Sequence, residues 1–159
     1  MPTIELETRI AAPVERVFDL CRSIEAHTES TSRSDERAIG GRTSGLIGLG
    51  EHVTWSARHF GIRWRLTSRI VAFDRPRHFR DSMVEGVFAR FDHDHWFHPD
   101  GDGTRAVDRF DYTSPLGVLG RLRDHLWAHG VVYSNVADGK AEEGAKFADY
   151  FDYSEPLKA

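Results

Sequence analysis

The chain carries one cysteine, Cys21, in 159 residues. A lone thiol excludes an intramolecular disulfide and any zinc cluster built on cysteines. It fits a reducing compartment. No apolar run approaches the roughly 18 residues that a membrane-spanning helix needs. The first residues, Met1 to Glu7, lack the basic-then-apolar pattern of a signal peptide. The expected location is therefore the cytoplasm, with no membrane partner. A basic surplus is also missing, since 21 Lys and Arg stand against 25 Asp and Glu, a net charge of −4. Phosphate contacts dominate nucleic-acid affinity, so this balance argues against nucleic acid as a partner. No repeat, low-complexity tract or linker divides the chain, and its length suits one domain.

Histidine is plentiful, with nine in the chain, and the apolar residues are clearly patterned. Thr3 to Ile10 alternates apolar and polar residues, as a half-buried strand does. Pro13 suits the first position of a helix, and Val14, Val17, Phe18 and Cys21 follow at helical spacing. Ser23 can cap a second short helix reaching about Thr28. Residues 29 to 38 hold part of the next strand. The stretch from Gly40 to Gly50 has the glycine spacing of a phosphate loop, but Leu46 and Ile47 replace the Lys-Ser/Thr pair that the chemistry needs. It reads as a flexible loop beside a cavity mouth.

From Glu51 to Thr113 the pattern is a meander of long strands. A two-residue turn at Phe60-Gly61 pairs Ala57 with Trp64, Trp55 with Leu66, Val53 with Ser68 and Glu51 with Ile70. Polar residues then collect on the opposite face, Arg63, Arg65 and Arg69 among them, and a one-residue slip would mix the two faces. A four-residue loop at Asp100 to Gly103 pairs Phe97 with Ala106, His95 with Asp108, His93 with Phe110 and Phe91 with Tyr112. A three-residue loop at Glu85 to Val87 adds Phe79, Asp81 and Met83 to the same face. After Ser114-Pro115, Leu119, Leu122, Leu126, Gly130, Tyr133, Ala137, Ala141 and Ala145 mark one face of a long helix. Its glycines at 130 and 139 are points where it bends or breaks.

Strand, two short helices, antiparallel meander and long final helix together resemble the helix-grip fold of the START and plant-allergen-like superfamily, also called SRPBCC. The likeness is to a bacterial ligand-binding or polyketide-cyclase-like group. It is carried by Thr43-Ser44-Gly45-Leu46-Ile47, by Leu49 to Trp55, by His59-Phe60-Gly61 and by Thr67 to Ile70. The His93-Asp94-His95 segment, Asp100 to Thr104 and Ser114 to Gly120 extend it. The resemblance implies an α+β fold in a single domain over residues 1–159, with a curved antiparallel sheet wrapped around the long C-terminal helix. It also implies a cavity between them for a hydrophobic small-molecule ligand or substrate, with no cofactor. The likeness spans residues 3 to 126. After Leu126 the group's basic, leucine-rich helix gives way to a Gly-, Ala- and acid-rich stretch, Ala137 to Gly144.

The candidate site lies on the inner sheet face. Glu51, Asp81, His93, His95 and Asp108 share it with Trp55, Trp64, Met83, Phe91, Phe97, Phe110 and Tyr112, and Tyr133 faces it from the helix. Burying such ionisable groups without partners is costly. A carboxylate beside an imidazole orients the ring and raises its pKa, which suits acid–base work near neutral pH. Three readings of this cluster stay open: a polar network supporting the sheet, a substrate or catalytic site, and a metal site on His93, His95 and Asp108. In the catalytic reading His95, oriented by Asp108, moves protons during a cyclisation or dehydration, and His93 and Tyr112 hold a carbonyl. In the carrier reading the same face only binds. A weaker expectation is a protein-docking end, Glu142 to Asp152, with Phe147, Tyr150, Phe151 and Tyr153. The other histidines, including His52, His59, His78, His98, His125 and His129, read as surface or helix-face residues. A homodimer is compatible with all of this.

Overall fold

The structure, a computed structural model, describes residues 3–31, 35–59 and 62–113. The elements run β1 (Thr3–Ile10), α1 (Val14–Cys21), α2 (Ile24–Ser30), β2 (Arg37–Gly41), β3 (His52–His59), β4 (Ile62–Asp74), β5 (His78–Glu85), β6 (Arg90–Asp100) and β7 (Gly103–Thr113). The seven strands form one antiparallel sheet in the order β1-β7-β6-β5-β4-β3-β2. A curved antiparallel sheet with two short helices after its first strand is the helix-grip arrangement. The expected C-terminal helix, with Tyr133 and the docking end, lies outside the described residues, and so does the cavity it would close.

Local sequence sets these elements. Pro13 precedes α1 as its N-cap, with φ −57° and ψ 147°, one position earlier than the spacing predicts. Ser23 caps α2 by accepting from the backbone N–H of Ala26 at 3.3 Å. The expected glycine loop divides in two. Gly40 and Gly41 belong to β2, and Gly41 sits at φ +69° with His52 so close that a Cβ would lie 2.2 Å from its carbonyl oxygen. The remaining loop is tethered, because the Gly45 N–H donates to the Glu25 carboxylate at 2.9 Å and the Ile47 N–H to the Arg22 carbonyl at 3.0 Å.

The β3–β4 register is the expected one, with Ala57, Trp55 and Val53 opposite Trp64, Leu66 and Ser68. The β6–β7 register is also as expected, although its loop is tighter because Asp100 still pairs with Gly103. The β5–β6 loop is longer than expected. Ser82 pairs with Asp92 and residues 86–89 form the loop. That moves the pairing by two residues and leaves every side chain on its expected face. A bulge in β4 between Ile70 and Ala72 shifts the alternation. Ile70 is buried, Val71 is exposed, and Phe73 turns inward again.

The core lies between the helices and the inner face of the sheet. Phe18 on α1 has no exposure. Its ring meets Phe73, Phe79 and Phe97 edge-on at centroid distances of 5.3, 5.5 and 5.5 Å, a favoured aromatic geometry. Asp19, beside Phe18, ties the helix to the β4–β5 turn. Its carboxylate accepts from Arg75 at 2.7 Å and pairs with Arg22 at 2.9 Å. Burial pushes the Asp19 carboxyl up, but the bonds from Arg75 and Arg22 outweigh it and hold the group below the usual carboxylate range. A depressed folded pKa stabilises the fold above the unfolded value of about 4 and loses that stabilisation as pH falls through the lower folded value. Asp19→Asn is expected to cost about 1–2 kcal/mol at pH 7. The deficit should shrink as the pH is lowered from 5 toward 2 in denaturant titrations.

Candidate functional site

Three adjacent strands bring the site together. Asp81 on β5 pairs with His93 on β6, and His95 on β6 pairs with Asp108 on β7. Because strand side chains alternate in direction, all four leave the sheet on one side. That side is the inner one, since the His95 ring stacks on Phe79 at 4.2 Å and Phe79 contacts Phe18.

The contacts are ordered. His95 Nδ1–H donates to Asp108 Oδ1 at 2.6 Å, and its Nε2 lies 3.4 Å from Asp81 Oδ1. His93 stands beside it with ring centroids 3.9 Å apart. His93 Nδ1 lies 3.7 Å from Asp81 Oδ1, and its Nε2 lies 3.6 Å from Asp108 Oδ1. Each imidazole therefore has one nitrogen toward Asp81 and the other toward Asp108. All four side chains are partly accessible, from 13% for His95 to 38% for Asp108.

Charge controls protonation here. Burial lowers the His95 pKa, but the bonds to Asp108 and Asp81 outweigh it and raise the group to about 9. For both carboxyls burial pushes upward and the imidazoles win. Asp81 is held below the usual range and Asp108 well below it. At neutral pH the site thus holds a protonated imidazole between two carboxylates.

The surrounding residues sort clearly. Phe91, Phe97 and Tyr112 are almost fully buried on the same face, Trp55 is 7% exposed, and Met83 and Phe110 are half-buried. Phe110 lies 5.4 Å from His93, edge-on, and 5.0 Å from Phe91. Two expected members behave otherwise. Glu51 sits in the turn before β3, where it accepts from the Gly48 N–H at 2.8 Å and pairs with Arg42 at 3.2 Å. Its carboxylate is spent on that loop. Trp64 is 41% exposed toward the β3–β4 end of the sheet and is not a core residue.

Two features escape sequence reasoning. His27 on α2 lies over Trp55 at 4.2 Å, a helix-to-sheet contact that strand alternation cannot reveal. His78, read as a surface residue, is only 14% exposed. It bonds Asp94 at 2.7 Å and stacks on Trp96 at 3.8 Å, while Arg80 grips both oxygens of Asp94 at 2.7 Å. The missed signal was parity, because His78, Arg80 and Asp94 all point to the outer face. Cys21 is a free thiol whose pKa burial pushes well up, which leaves it without nucleophilic character at neutral pH.

Comparisons with known proteins give two overlapping likenesses. TTHA0849 from Thermus thermophilus superposes with a TM-score of 0.64 at 25% identity, over 79% of this chain and 83% of that one. Major latex-like protein 151 from Panax ginseng superposes with a TM-score of 0.56 at 17% identity, over 79% and 90%. These likenesses support a helix-grip, SRPBCC-type fold. A sequence family described as Tex central region-like matches residues 102–159. Within that stretch, transcriptional accessory protein Tex of Neisseria gonorrhoeae is 41% identical over 58 residues, which are 36% of this chain and 8% of that protein. The chain thus matches less than a tenth of the length of these curated relatives. The departure from the helix-grip pattern after Leu126 falls inside the Tex-like stretch.

The outer cluster offers a control for the inner one. Asp94 is 3% exposed and bonded three times. Asp94→Ala is expected to lower stability by about 2–3 kcal/mol through loss of charge-assisted bonds. It should leave ligand affinity at the inner face within twofold, and thermal melts with parallel binding measurements check both.

Proposed function

We propose that the chain binds a hydrophobic, oxygen-bearing small molecule on the inner face of the sheet. The Asp81, His93, His95 and Asp108 cluster forms the polar end of that site. One observation carries the reading: four partly accessible ionisable groups converge within an otherwise aromatic face. Apolar walls with a few convergent polar groups are the usual build of a small-molecule site. His95, oriented by Asp108, is the proton donor to a ligand oxygen. His93 and Tyr112 position that oxygen, and the rings fold the apolar part. Such a site suits cyclisation, dehydration or a related acid–base rearrangement. Without turnover the same contacts make a carrier or sensor.

The test begins with native mass spectrometry of the full chain and displacement of a bound naphthalene-sulfonate dye by polycyclic phenols and ketones. His95→Ala is expected to weaken the oxygenated ligands at least about tenfold, while hydrocarbon analogues bind unchanged. If a ligand found this way is also converted, the variant should lose about 100-fold or more in rate. Equal binding of phenols by wild type and variant would end His95's role, and failure of every oxygenated compound to displace the dye would end the reading.

A second reading attaches to residues 102–159, whose Tex-like sequence favours an accessory role in transcription. It requires the full chain to bind nucleic acid, which the ligand reading does not. A gel shift at physiological salt separates them, and the net charge of −4 counts against a shift.

A further inference from the structure

We propose that Asp81, His93 and His95 bind one divalent transition-metal ion of the zinc type, with Asp108 as the carboxylate behind both imidazoles. The inference goes beyond the ligand reading and needs no ligand. Among the described residues these three side chains offer ligand atoms that all lie within 4.8 Å of one another.

Spacing supports a four-coordinate ion. Zinc bonds to nitrogen and carboxylate oxygen are about 2.0–2.1 Å, which sets tetrahedral ligand atoms about 3.3–3.4 Å apart and octahedral neighbours about 2.9 Å apart. Asp81 Oδ1 stands 3.4 Å from His95 Nε2 and 3.7 Å from His93 Nδ1. Both separations sit nearer the tetrahedral value, and the remaining pair of ligand atoms lies within 4.8 Å and closes on the ion by side-chain rotation.

The outer nitrogens strengthen the case. A metal-bound histidine donates its other N–H to a carboxylate, which fixes the tautomer and aims the lone pair. Asp108 Oδ1 is 2.6 Å from His95 Nδ1 and 3.6 Å from His93 Nε2. It bonds the His95 N–H and stands near the outer nitrogen of His93, which leaves the other two nitrogens facing Asp81. This assignment changes the ligand set that the sequence suggests, because Asp108 moves behind the imidazoles and Asp81 takes its place. With both imidazoles neutral, the four groups carry two negative charges, which a dication balances.

The full chain, stripped with chelator, should be titrated with Zn²⁺ alone and separately with Co²⁺. One ion per chain is expected. His93→Ala and Asp81→Asn should each weaken binding at least about 100-fold, and Asp108→Asn about 10–100-fold. His78→Ala, on the outer face, should change nothing. Cobalt should give the intense visible bands of a tetrahedral site without a thiolate charge-transfer band, which separates it from binding at Cys21. Substoichiometric Zn²⁺ uptake by the wild type overturns the proposal, as does wild-type affinity in folded His93→Ala and Asp81→Asn chains. A weak octahedral cobalt spectrum also overturns it, and this decides the matter if the variants do not fold. Ligand binding by the chelated chain with no metal uptake would remove this inference alone. Metal uptake with no dye displacement would remove only the ligand reading.

Discussion

The pairing of β6 with β7 is the constraint on which the rest depends. Phe97 opposite Ala106 builds the core beneath α1, and His95 opposite Asp108 builds the polar site two residues away on the same face. A one-residue slip of β6 would carry Asp94 and Trp96 inward and expel Phe91 and Phe97. Burial of those rings stabilises one register, and that register positions the ionisable groups. The site is thus a by-product of the core's geometry, while its residue types are not required by the core. Aromatic or aliphatic residues at 81, 93, 95 and 108 would suit the same sheet better, because unpaired polar groups there cost free energy.

The two faces of the sheet use similar residues to different ends. On the outer face Asp94 is enclosed by Arg80 and His78, and its charge is matched. Bidentate guanidinium contact of this sort saturates a carboxylate and leaves nothing for a ligand. On the inner face two carboxylates share two imidazoles and no arginine. The excess negative charge there attracts a cation, and a proton on His95 is the smallest one available. The proposed metal ion would compete with that proton for the space between His95 and Asp81.

Much of this was legible because strand alternation is a strong local signal. Val53, Trp55 and Ala57 inward, with His52 and Arg58 outward, admit one register in β3 and β4. Loop lengths were less legible. The glycines around positions 86 and 101 are compatible with several turns, and those differing by two residues leave the faces unchanged. The β5–β6 register could therefore be misjudged while Asp81 was still placed on the inner face beside His93. The Glu51 backbone does face Ile70, whose N–H donates to its carbonyl at 3.0 Å, but its side chain turns to the preceding loop. Alternation extends one residue past the strand, and nothing local tells that its carboxylate closes on the Gly48 N–H. His27 was missed because its partner Trp55 lies on a strand, a helix-to-sheet contact that periodicity does not encode, and His78 because its partner Asp94 lies on the neighbouring strand.

The two resemblances meet in β7. The sequence resemblance to the helix-grip group is expected over residues 3 to 126, and the Tex-like match begins at 102. The overlap includes Asp108, Phe110 and Tyr112, which the sheet holds from both sides through pairing with β1 and β6. In this chain those residues answer to the inner face, whatever the remainder of the Tex-like stretch contributes. An interior strand satisfies its backbone hydrogen bonds on both edges, so it cannot exchange partners without breaking two ladders. The pairing of β7 with β6 thus fixes Asp108 opposite His95, although β7 lies within the Tex-like match.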